Sequence, residues 1–588
     1  MSLLTGALLV PALLHSAVAT MPVEDVKPGM RGIGRTVFQG NKVEEFNVEI
    51  LGTLENLGPK QSVILARLSG GPLERTGVMQ GMSGSPVYID GKLVGAVALT
   101  FAYSKEPIAG IRPIKEMLAV ERPLAKPGEQ PRTTAALIRQ PIDLIPKPDE
   151  VTAGQNRLVE IATPLSFGGF TKSTFEHFAP QLRQLGLEPV QGFSGGGNPT
   201  QGFGDPKLIQ PGSMISVQLL SGDMSVGAEG TITHVEGNSV FGFGHRFLSV
   251  GPTEMPFARA EVIALLPSVQ TSFKISASRE WMGSITQDRS VGVAGYLGKR
   301  ADMVPFNISV ADPESTQARS IGYRMQMIND RVLAPLLVQM ALYSAIEASE
   351  RTLGTGSFRV RGKIEFDGPV PPIRLNNAYT GDFNVPMQAS LGTAIPLAYI
   401  MQSGFEALKL KSVDISVDSY DRKKQFQIDQ VWASPREAKP GDDVEINTVM
   451  AGENGVEITR KATYRVPVGA KTGTLYFTVA DATSTNLNEY QQLLTTAPRT
   501  PAQLVTFING LRGNDRAYVR VWRADAAYAV QGQDMPDPPA SVSMILAKTQ
   551  ASLSGTQLWR GSKVAEMEIS AGDAVVSGSK TVQVEIKE

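Results

Sequence analysis

The sequence of 588 residues contains no cysteine, which excludes disulfide bonds, thiol catalysis and zinc sites with cysteine ligands. Histidine is scarce, with four copies, so few residues can act as an imidazole base. A strong charge of one sign is also lacking, because the formal net charge is −1 and the basic residues are spread along the chain. Without a broad cationic surface, nucleic acid is not an expected partner.

Long hydrophobic runs are absent beyond the N-terminus, and we therefore expect no stable membrane span. The glycine cluster at 195–197 lacks the Lys-Ser/Thr pair of a phosphate-binding loop. Asp442 and Asp443 follow a Pro-Gly pair, which is more typical of a turn than of a calcium site. The sequence thus predicts no cofactor and no metal.

The N-terminus has the pattern of an export signal. The apolar run at 3–14 is too short to span a bilayer, and Ala17-Val18-Ala19 places small residues where a signal peptidase cleaves. We therefore predict a signal peptide over residues 1–19 and a periplasmic or extracellular protein. The basic residues usual at the start of a signal are missing, and the alternative is a buried N-terminal helix.

The rest of the chain is too long for one hydrophobic core. Short alternating runs broken by glycine predict a β domain at 20–120, followed by a proline-rich linker with a helical insert at 121–204. The β pattern returns at 205–365, together with the longest amphipathic helix, predicted at 329–351. A connecting β region at 366–430 and an accessory β-sandwich at 431–588 complete the predicted organisation.

A serine flanked by glycines precedes a strand pattern near residue 85. Residues 81–86 read Gly-Met-Ser-Gly-Ser-Pro and lead into an alternating run from Val87. A nucleophilic hydroxyl must stand clear of the backbone, and nearby N–H groups must converge on a developing oxyanion, which this spacing suits. Ser83 is therefore the candidate nucleophile. The alternative is a tight turn whose serines form local hydrogen bonds.

Of the four histidines, His245 is the best candidate for a general base. His15 lies in the predicted signal peptide, and His177 falls in a predicted helix, where a packing or surface role is expected. His234 and His245 belong to two short strand patterns that predict a hairpin. His245 follows a strand end and two glycines, so its ring can project from a loop into a cleft, whereas His234 fits within a strand.

These segments resemble the SpoIVB family of serine peptidases, the S55 peptidases. The resemblance rests on residues 26–37, 43–50 and 77–86, and on the stretch at 283–298 that follows the histidine. In that family the first serine of the motif is the nucleophile and a histidine after a glycine is the base, roles that match Ser83 and His245. The resemblance implies a mainly β fold with a chymotrypsin-like two-part β-barrel core and added helices.

The chain departs from the family pattern in two ways. The serine block precedes the histidine block and no PDZ-like segment is seen, an order that resembles a circular permutation and is compatible with triad geometry. The family's aspartate lies shortly upstream of the serine, but residues 68–72 read Leu-Ser-Gly-Gly-Pro. Glu74, Asp90 and Glu254 are candidates for the acid, and the sequence does not choose among them.

The sequence therefore predicts an exported serine endopeptidase that hydrolyses a protein or peptide substrate. Ser83 would attack the carbonyl, His245 would take its proton, and the N–H groups of Ser83 and Gly81 would stabilise the oxyanion. One alternative is a catalytically inactive peptidase-fold scaffold that binds envelope or secreted proteins through its C-terminal domain. The other is a structural β-rich surface protein in which the motif is only a turn.

Overall fold

The computed structural model describes residues 18–58, 61–101, 104–121, 158–191, 200–314, 320–349, 356–405, 408–487, 500–530, 533–535, 538–549 and 556–588. Strands dominate these residues, so the prediction of a mainly β fold is confirmed. Residues 1–17 of the predicted signal peptide, with His15, lie outside the described residues. Most of the predicted linker, at 122–157, and the glycine cluster at 192–199 also lie outside them.

The first sheet closes on itself. Its strands are β1 (Arg31–Val37), β2 (Val43–Gly58), β3 (Gln61–Ser69), β4 (Pro86–Ile89), β5 (Lys92–Phe101), β6 (Ile108–Pro113) and β7 (Leu158–Glu160). The order is β4-β1-β2-β3-β6-β5-β7, and β4 also pairs with β5. Strands β1 to β6 therefore form a six-stranded barrel, which we call the first ring, with β7 added at its side.

The second sheet is larger, with 14 strands, and also contains a closed path. Its strands are β8 (Thr163–Gly168), β9 (Leu187–Gln191), β10 (Thr200–Phe203), β11 (Met214–Gly222), β12 (Ser225–Glu236), β13 (Ser239–Gly242), β14 (Gly251–Leu266), β15 (Phe273–Arg289), β16 (Gly292–Leu297), β17 (Met303–Ala311), β18 (Ser320–Ile328), β19 (Gly356–Phe366), β20 (Ile373–Gly381) and β21 (Leu410–Tyr420). Strands β11, β14, β15, β16, β13 and β12 follow one another, and β12 pairs back onto β11. We call this path the second ring.

Seven α-helices lie in the described part of the chain. They are α1 (Leu73–Thr76), α2 (Ile114–Leu118), α3 (Lys172–Gln184), α4 (Leu333–Ser349), α5 (Val385–Met401), α6 (Pro501–Asn509) and α7 (Ala540–Thr549). Helix α4 lies within the range predicted at 329–351, but it is buried on nearly every side and is not amphipathic as predicted. Asp330 accepts from the N–H groups of Val332 and Leu333 at its start. Helix α4 is buried along almost its whole length and packs against α5, so these two helices fill the core beside the second ring. None of the described helices is long and apolar enough to cross a membrane.

The C-terminal part contains two further sheets. They comprise β22 (Gln425–Ser434), β23 (Glu437–Ala438), β24 (Asp443–Gly452), β25 (Glu457–Arg465), β26 (Gly473–Ala480), β27 (Arg516–Val530), β28 (Gln533–Met535), β29 (Thr556–Ser570), β30 (Val575–Ser577) and β31 (Ser579–Ile586). Apolar side chains of both sheets, such as Ile446 and Phe477, belong to one buried cluster. The two sheets therefore share a core, as the sheets of a sandwich do.

The hairpin formed by β14 and β15 joins the two rings. Gly40 and Val262 exchange two backbone hydrogen bonds of 2.8 and 2.7 Å. Farther along, the N–H of Gln80 donates to the carbonyl of Ser272 at 2.9 Å, and Gln80 pairs with Phe273. The second ring is thus bound directly to the chain that leads into the Gly-Met-Ser-Gly-Ser-Pro motif.

Candidate active site

The loop that carries Ser83 is a compact series of turns between α1 and β4. Met82 donates its N–H to the carbonyl of Met79 at 3.1 Å, and Ser85 donates to Met82 at 2.9 Å. Gly81 and Gly84 have φ values of +88° and +93°, a conformation that side chains other than glycine adopt at a cost. The motif therefore needs glycine on both sides of Ser83 for its backbone alone.

Strand β12 of the second ring donates hydrogen bonds to the backbone carbonyl groups of this loop. The N–H of Thr231 donates to the carbonyl of Ser83 at 2.9 Å, and the Thr231 hydroxyl donates to Gly81 at 2.8 Å. The Thr233 hydroxyl donates to the carbonyl of Gly84 at 2.7 Å. A Cβ on residue 84 would collide with the carbonyl oxygen of Thr231 and lie 2.5 Å from the nitrogen of Phe243. The two rings therefore meet at the motif with no room for a side chain at position 84.

Two backbone N–H groups of the loop are free of partners. The N–H groups of Met82, Gly84 and Ser85 all donate to carbonyls, whereas those of Gly81 and Ser83 donate in none of the hydrogen bonds of the described chain. Buried N–H groups are almost always paired, so two unpaired ones beside a serine are unusual. Their separation by one residue is the spacing of an oxyanion hole made from the nucleophile and the residue two before it.

His245 lies in the loop that follows β13, two residues after Phe243. Phe243 and Gly244 both have positive φ, at +67° and +71°, and a Cβ on Gly244 would stand 3.1 Å from Cβ of Ala98 in the first ring. The Nδ1 atom of His245 is 2.7 Å from the carbonyl oxygen of Arg246. A carbonyl only accepts, so Nδ1 carries the proton in the neutral ring and Nε2 presents a lone pair.

Burial, more than the surrounding charges, favours the neutral form of His245. Burial lowers the pKa of His245 below its ordinary value, and the carboxylate of Glu160 opposes this shift. Glu160 forms an ion pair of 3.1 Å with Arg246. Arg112, which is buried and donates to the carbonyl of Gly244 at 3.4 Å, adds to the lowering of the pKa. A neutral imidazole at neutral pH is the form that can accept a proton.

The structure brings the two segments together without joining the reactive atoms. Ser83 is 0% exposed and His245 is 2% exposed. Among the described residues, neither Ser83 Oγ nor His245 Nε2 has a hydrogen-bond partner, so no hydrogen bond links the two. Ser85 Oγ is likewise buried and unpaired. Three polar groups of one region thus lack partners, which is uncommon in a folded interior.

None of the three acids weighed from the sequence approaches the histidine as a hydrogen-bond partner. Glu74 and Asp90 are exposed, and Glu254 forms a 3.6 Å ion pair with Lys299. The Nδ1 position, where an acid would bind, is taken by the Arg246 carbonyl. The backbone therefore occupies the place of a third triad residue.

Asp288 is a buried acid near this loop that the sequence did not single out. It lies near the end of β15, fully buried, and its carboxylate accepts from the backbone N–H groups of Phe247, Leu248 and Val250. Burial raises the pKa of Asp288, and these N–H groups oppose the rise. Its only signal in the sequence was its place in the stretch similar to the peptidase family.

Lys274 is a second buried charged residue that the sequence did not indicate. Its Cδ lies 3.3 Å from where a Cβ on Gly81 would stand, and its N–H donates to the carbonyl of Gln80 at 3.3 Å. Its Nζ donates to the hydroxyl of Thr36 at 2.7 Å. Burial lowers the pKa of Lys274 to about 7. No nearby carboxylate offsets this effect in the described part of the chain.

The other two described histidines pack elsewhere. His177 lies in α3 and stacks on Tyr343 with ring centroids 5.9 Å apart. His234 lies in β12 and stacks on Phe241 at 6.1 Å, across the hairpin that the sequence predicted. Neither shares a hydrogen bond with the motif loop.

Comparison with known proteins gives one match. The model of the family described as SpoIVB peptidase S55 matches residues 11–118, a region that includes Gly81 and Ser83 but ends before His245. No curated protein sequence and no solved structure gives a significant match. The N-terminal segment of the chain, with the first ring and the motif loop, is therefore similar to the SpoIVB peptidases.

Proposed function

We propose that this chain is a serine endopeptidase in which Ser83 is the nucleophile and His245 the general base. The observation that carries the proposal is the set of unpaired groups where the rings meet: Ser83 Oγ, His245 Nε2 and the N–H groups of Gly81 and Ser83. Leaving such groups without partners costs stability, and active sites are where that cost is commonly retained. The family match over the motif independently suggests peptidase chemistry.

In the proposed reaction, the hydroxyl of Ser83 attacks the peptide carbonyl while Nε2 of His245 takes its proton. The N–H groups of Ser83 and Gly81 stabilise the oxyanion, and the imidazolium returns the proton to the leaving amine. Water then hydrolyses the acyl-enzyme by the same route. Because the two reactive atoms are buried and not hydrogen-bonded in this structure, substrate binding must open the site and rotate Ser83 or shift its loop.

The wider architecture supports a related proposal. A closed six-stranded path lies on each side of the site, the first carrying Ser83 and the second carrying His245. We take these paths to correspond to the two parts of a chymotrypsin-like core, with the blocks in permuted order. We also propose that the protein is exported to the periplasm or beyond, and that the C-terminal sheets at 431–588 are an accessory domain that recruits a protein partner.

A serine-directed fluorophosphonate tests the nucleophile. The folded protein should be labelled, and both Ser83→Ala and His245→Ala should abolish labelling. Ser85→Ala is a matched control, because Ser85 lies in the same motif and is equally buried and unpaired. His177→Ala should also leave labelling intact. Labelling that survives Ser83→Ala would contradict the assignment of the nucleophile.

One observation favours the alternative of an inactive scaffold that binds envelope or secreted proteins. Ser83 and His245 are closed off from solvent and do not contact each other through a hydrogen bond. If well-folded protein is neither labelled nor able to cleave an unfolded protein substrate, the scaffold is the better account. Capture of an envelope protein by the full chain, lost on deletion of 431–588, would then support it.

A further inference from the structure

The peptide group between Arg246 and Phe247 stands between His245 and a buried carboxylate. Its carbonyl oxygen is 2.7 Å from His245 Nδ1, and its N–H donates to Asp288 at 2.9 Å. A peptide group is planar, so its two ends cannot rotate independently. Whatever fixes the N–H of Phe247 therefore also fixes the carbonyl that accepts the hydrogen bond from Nδ1–H.

Asp288 is well placed to hold this peptide group. Its second oxygen accepts from the N–H groups of Leu248 at 2.7 Å and Val250 at 3.3 Å, so one carboxylate binds three N–H groups of a single loop. The same loop contains Ser249 with φ of +58°, a conformation that costs energy for a residue other than glycine. Interactions to a buried carboxylate are the kind that stabilise such a loop.

We propose that Asp288 is the acid that orients His245, acting through the peptide group of Arg246 and Phe247 instead of by direct contact. This rests on the proposed function, because it gives His245 the role of base. Asp288 is a positioning residue: it touches neither substrate nor the reacting atoms. It supplies what the missing aspartate upstream of Ser83 would supply, a fixed tautomer and a negative charge behind the imidazolium.

No proton passes along this chain of groups. Nδ1 keeps its proton and Phe247 keeps its N–H, while the proton of Ser83 moves to Nε2 and the ring becomes positive. The Arg246 carbonyl then faces a charged donor, and its hydrogen bond strengthens. Because hydrogen bonds in a chain polarise one another, the carboxylate at the far end favours the imidazolium.

Asp288→Asn tests the proposal, since asparagine keeps the size of the side chain and one acceptor oxygen. The new amide N–H groups cannot accept from the loop, so at least one of the three backbone N–H groups loses its partner. We expect the rate of fluorophosphonate labelling to fall about 100-fold, the scale of a small misplacement of a catalytic group. Asp330→Asn is the matched control: Asp330 also accepts two backbone N–H groups, at the start of α4, and the change should leave the rate unaltered.

Histidine NMR supplies a readout that a purely structural role would not move. With only four histidines in the chain, labelled ring nitrogens can be assigned by substitution. The wild type should show His245 with its proton on Nδ1, and Asp288→Asn should give a mixture of tautomers while His177 and His234 keep their signals. Slower labelling with an unchanged tautomer would reduce Asp288 to a loop stabiliser and overturn the proposal, as would no change in either measurement.

The proposed peptidase activity and the proposed role of Asp288 can be refuted independently. If the wild type is neither labelled nor able to cleave an unfolded protein substrate, the proposed peptidase activity is wrong, but the tautomer of His245 still reports whether Asp288 acts on it. If labelling depends on Ser83 and His245 but not on Asp288, the peptidase proposal stands and the role of Asp288 falls. Should Asp288→Asn unfold, seen as loss of the His177 and His234 signals, Asp288→Glu provides a second variant that retains the charge and displaces the oxygens.

Discussion

Replacing Lys274 with methionine should make the folded protein more stable near neutral pH, by an amount that falls as pH rises. The side chain is buried, and burial lowers the pKa of its amine from 10.5 to about 7. Each unit of pKa corresponds to about 1.4 kcal/mol, so the fully charged lysine destabilises the fold by about 5 kcal/mol. Methionine has similar length and no charge, and it removes this cost.

The sign of the pH dependence follows from the lowered pKa. Below pH 7 both the folded and the unfolded chain hold the proton, and the whole cost is present. Between pH 7 and about 10 the unfolded chain is still protonated while the folded one is neutral, so the cost shrinks by about 1.4 kcal/mol per pH unit. The advantage of Lys274→Met should therefore be greatest near pH 7 and almost gone near pH 10. Against this advantage, the substitution leaves the Thr36 hydroxyl without the amine that donates to it, a pH-independent cost of about 1–3 kcal/mol that makes the variant the less stable protein near pH 10.

Hydrogen exchange of the amides in β15, measured from pH 7 to 9.5 on both proteins, gives the difference in opening free energy at each pH. Lys172→Met is the control, because Lys172 is exposed on α3 and its replacement should give a difference independent of pH. A difference between wild type and Lys274→Met that stays constant over this range would refute the reasoning. It would mean that the amine is charged in the folded state, with a compensating partner.

Three further predictions concern the site and its surroundings. Gly84→Ala should abolish fluorophosphonate labelling and lower the free energy of unfolding by about 3 kcal/mol or more. The added methyl would collide with the Thr231 carbonyl, and position 84 has a left-handed φ. Labelling at the wild-type rate would contradict the close packing of the rings. Because burial holds the pKa of His245 below its ordinary value of 6.5, the midpoint of the pH dependence of labelling should lie below 6.5; a midpoint at or above 6.5 would contradict this. Burial also raises the pKa of Glu229 from 4.5 to about 8. Between these pH values the unfolded chain ionises Glu229 while the folded chain keeps it protonated, so the free energy of unfolding falls as pH rises. Glu229→Gln should gain about 1.4 kcal/mol per pH unit over the wild type in that range, measured by hydrogen exchange in β12, and parallel pH profiles of the two proteins would argue against it.

The turns of the candidate site could be predicted from the sequence because they depend on residues that are adjacent in the chain. Gly81 and Gly84 flank Ser83 in the motif, and Gly244 precedes His245, so the turns that carry these two buried side chains follow from short segments. The strands around them were predicted from alternation of apolar residues, and β4 begins at Pro86, one residue before the alternating run that starts at Val87. Local pattern was sufficient for these features.

Asp288 and Lys274 could not be predicted in this way. Asp288 lies 41 residues from Phe247, and Lys274 lies 238 residues from Thr36, so their contacts exist only after the strands have paired. Neither residue stands in a distinctive local pattern. Helix α5 was missed for a different reason, because Gly392 and Pro396 argue against a helix in sequence, whereas burial against α4 stabilises one.

The order of the two rings along the chain has a consequence for how such an enzyme would be made. The loop of Ser83 is held by Thr231 and Thr233, which follow it by about 150 residues. During synthesis Ser83 therefore leaves the ribosome long before the strand that holds its loop and the histidine proposed as its base. A growing chain would therefore have no complete active site, and could cleave neither itself nor other proteins, until the second ring had folded onto the first.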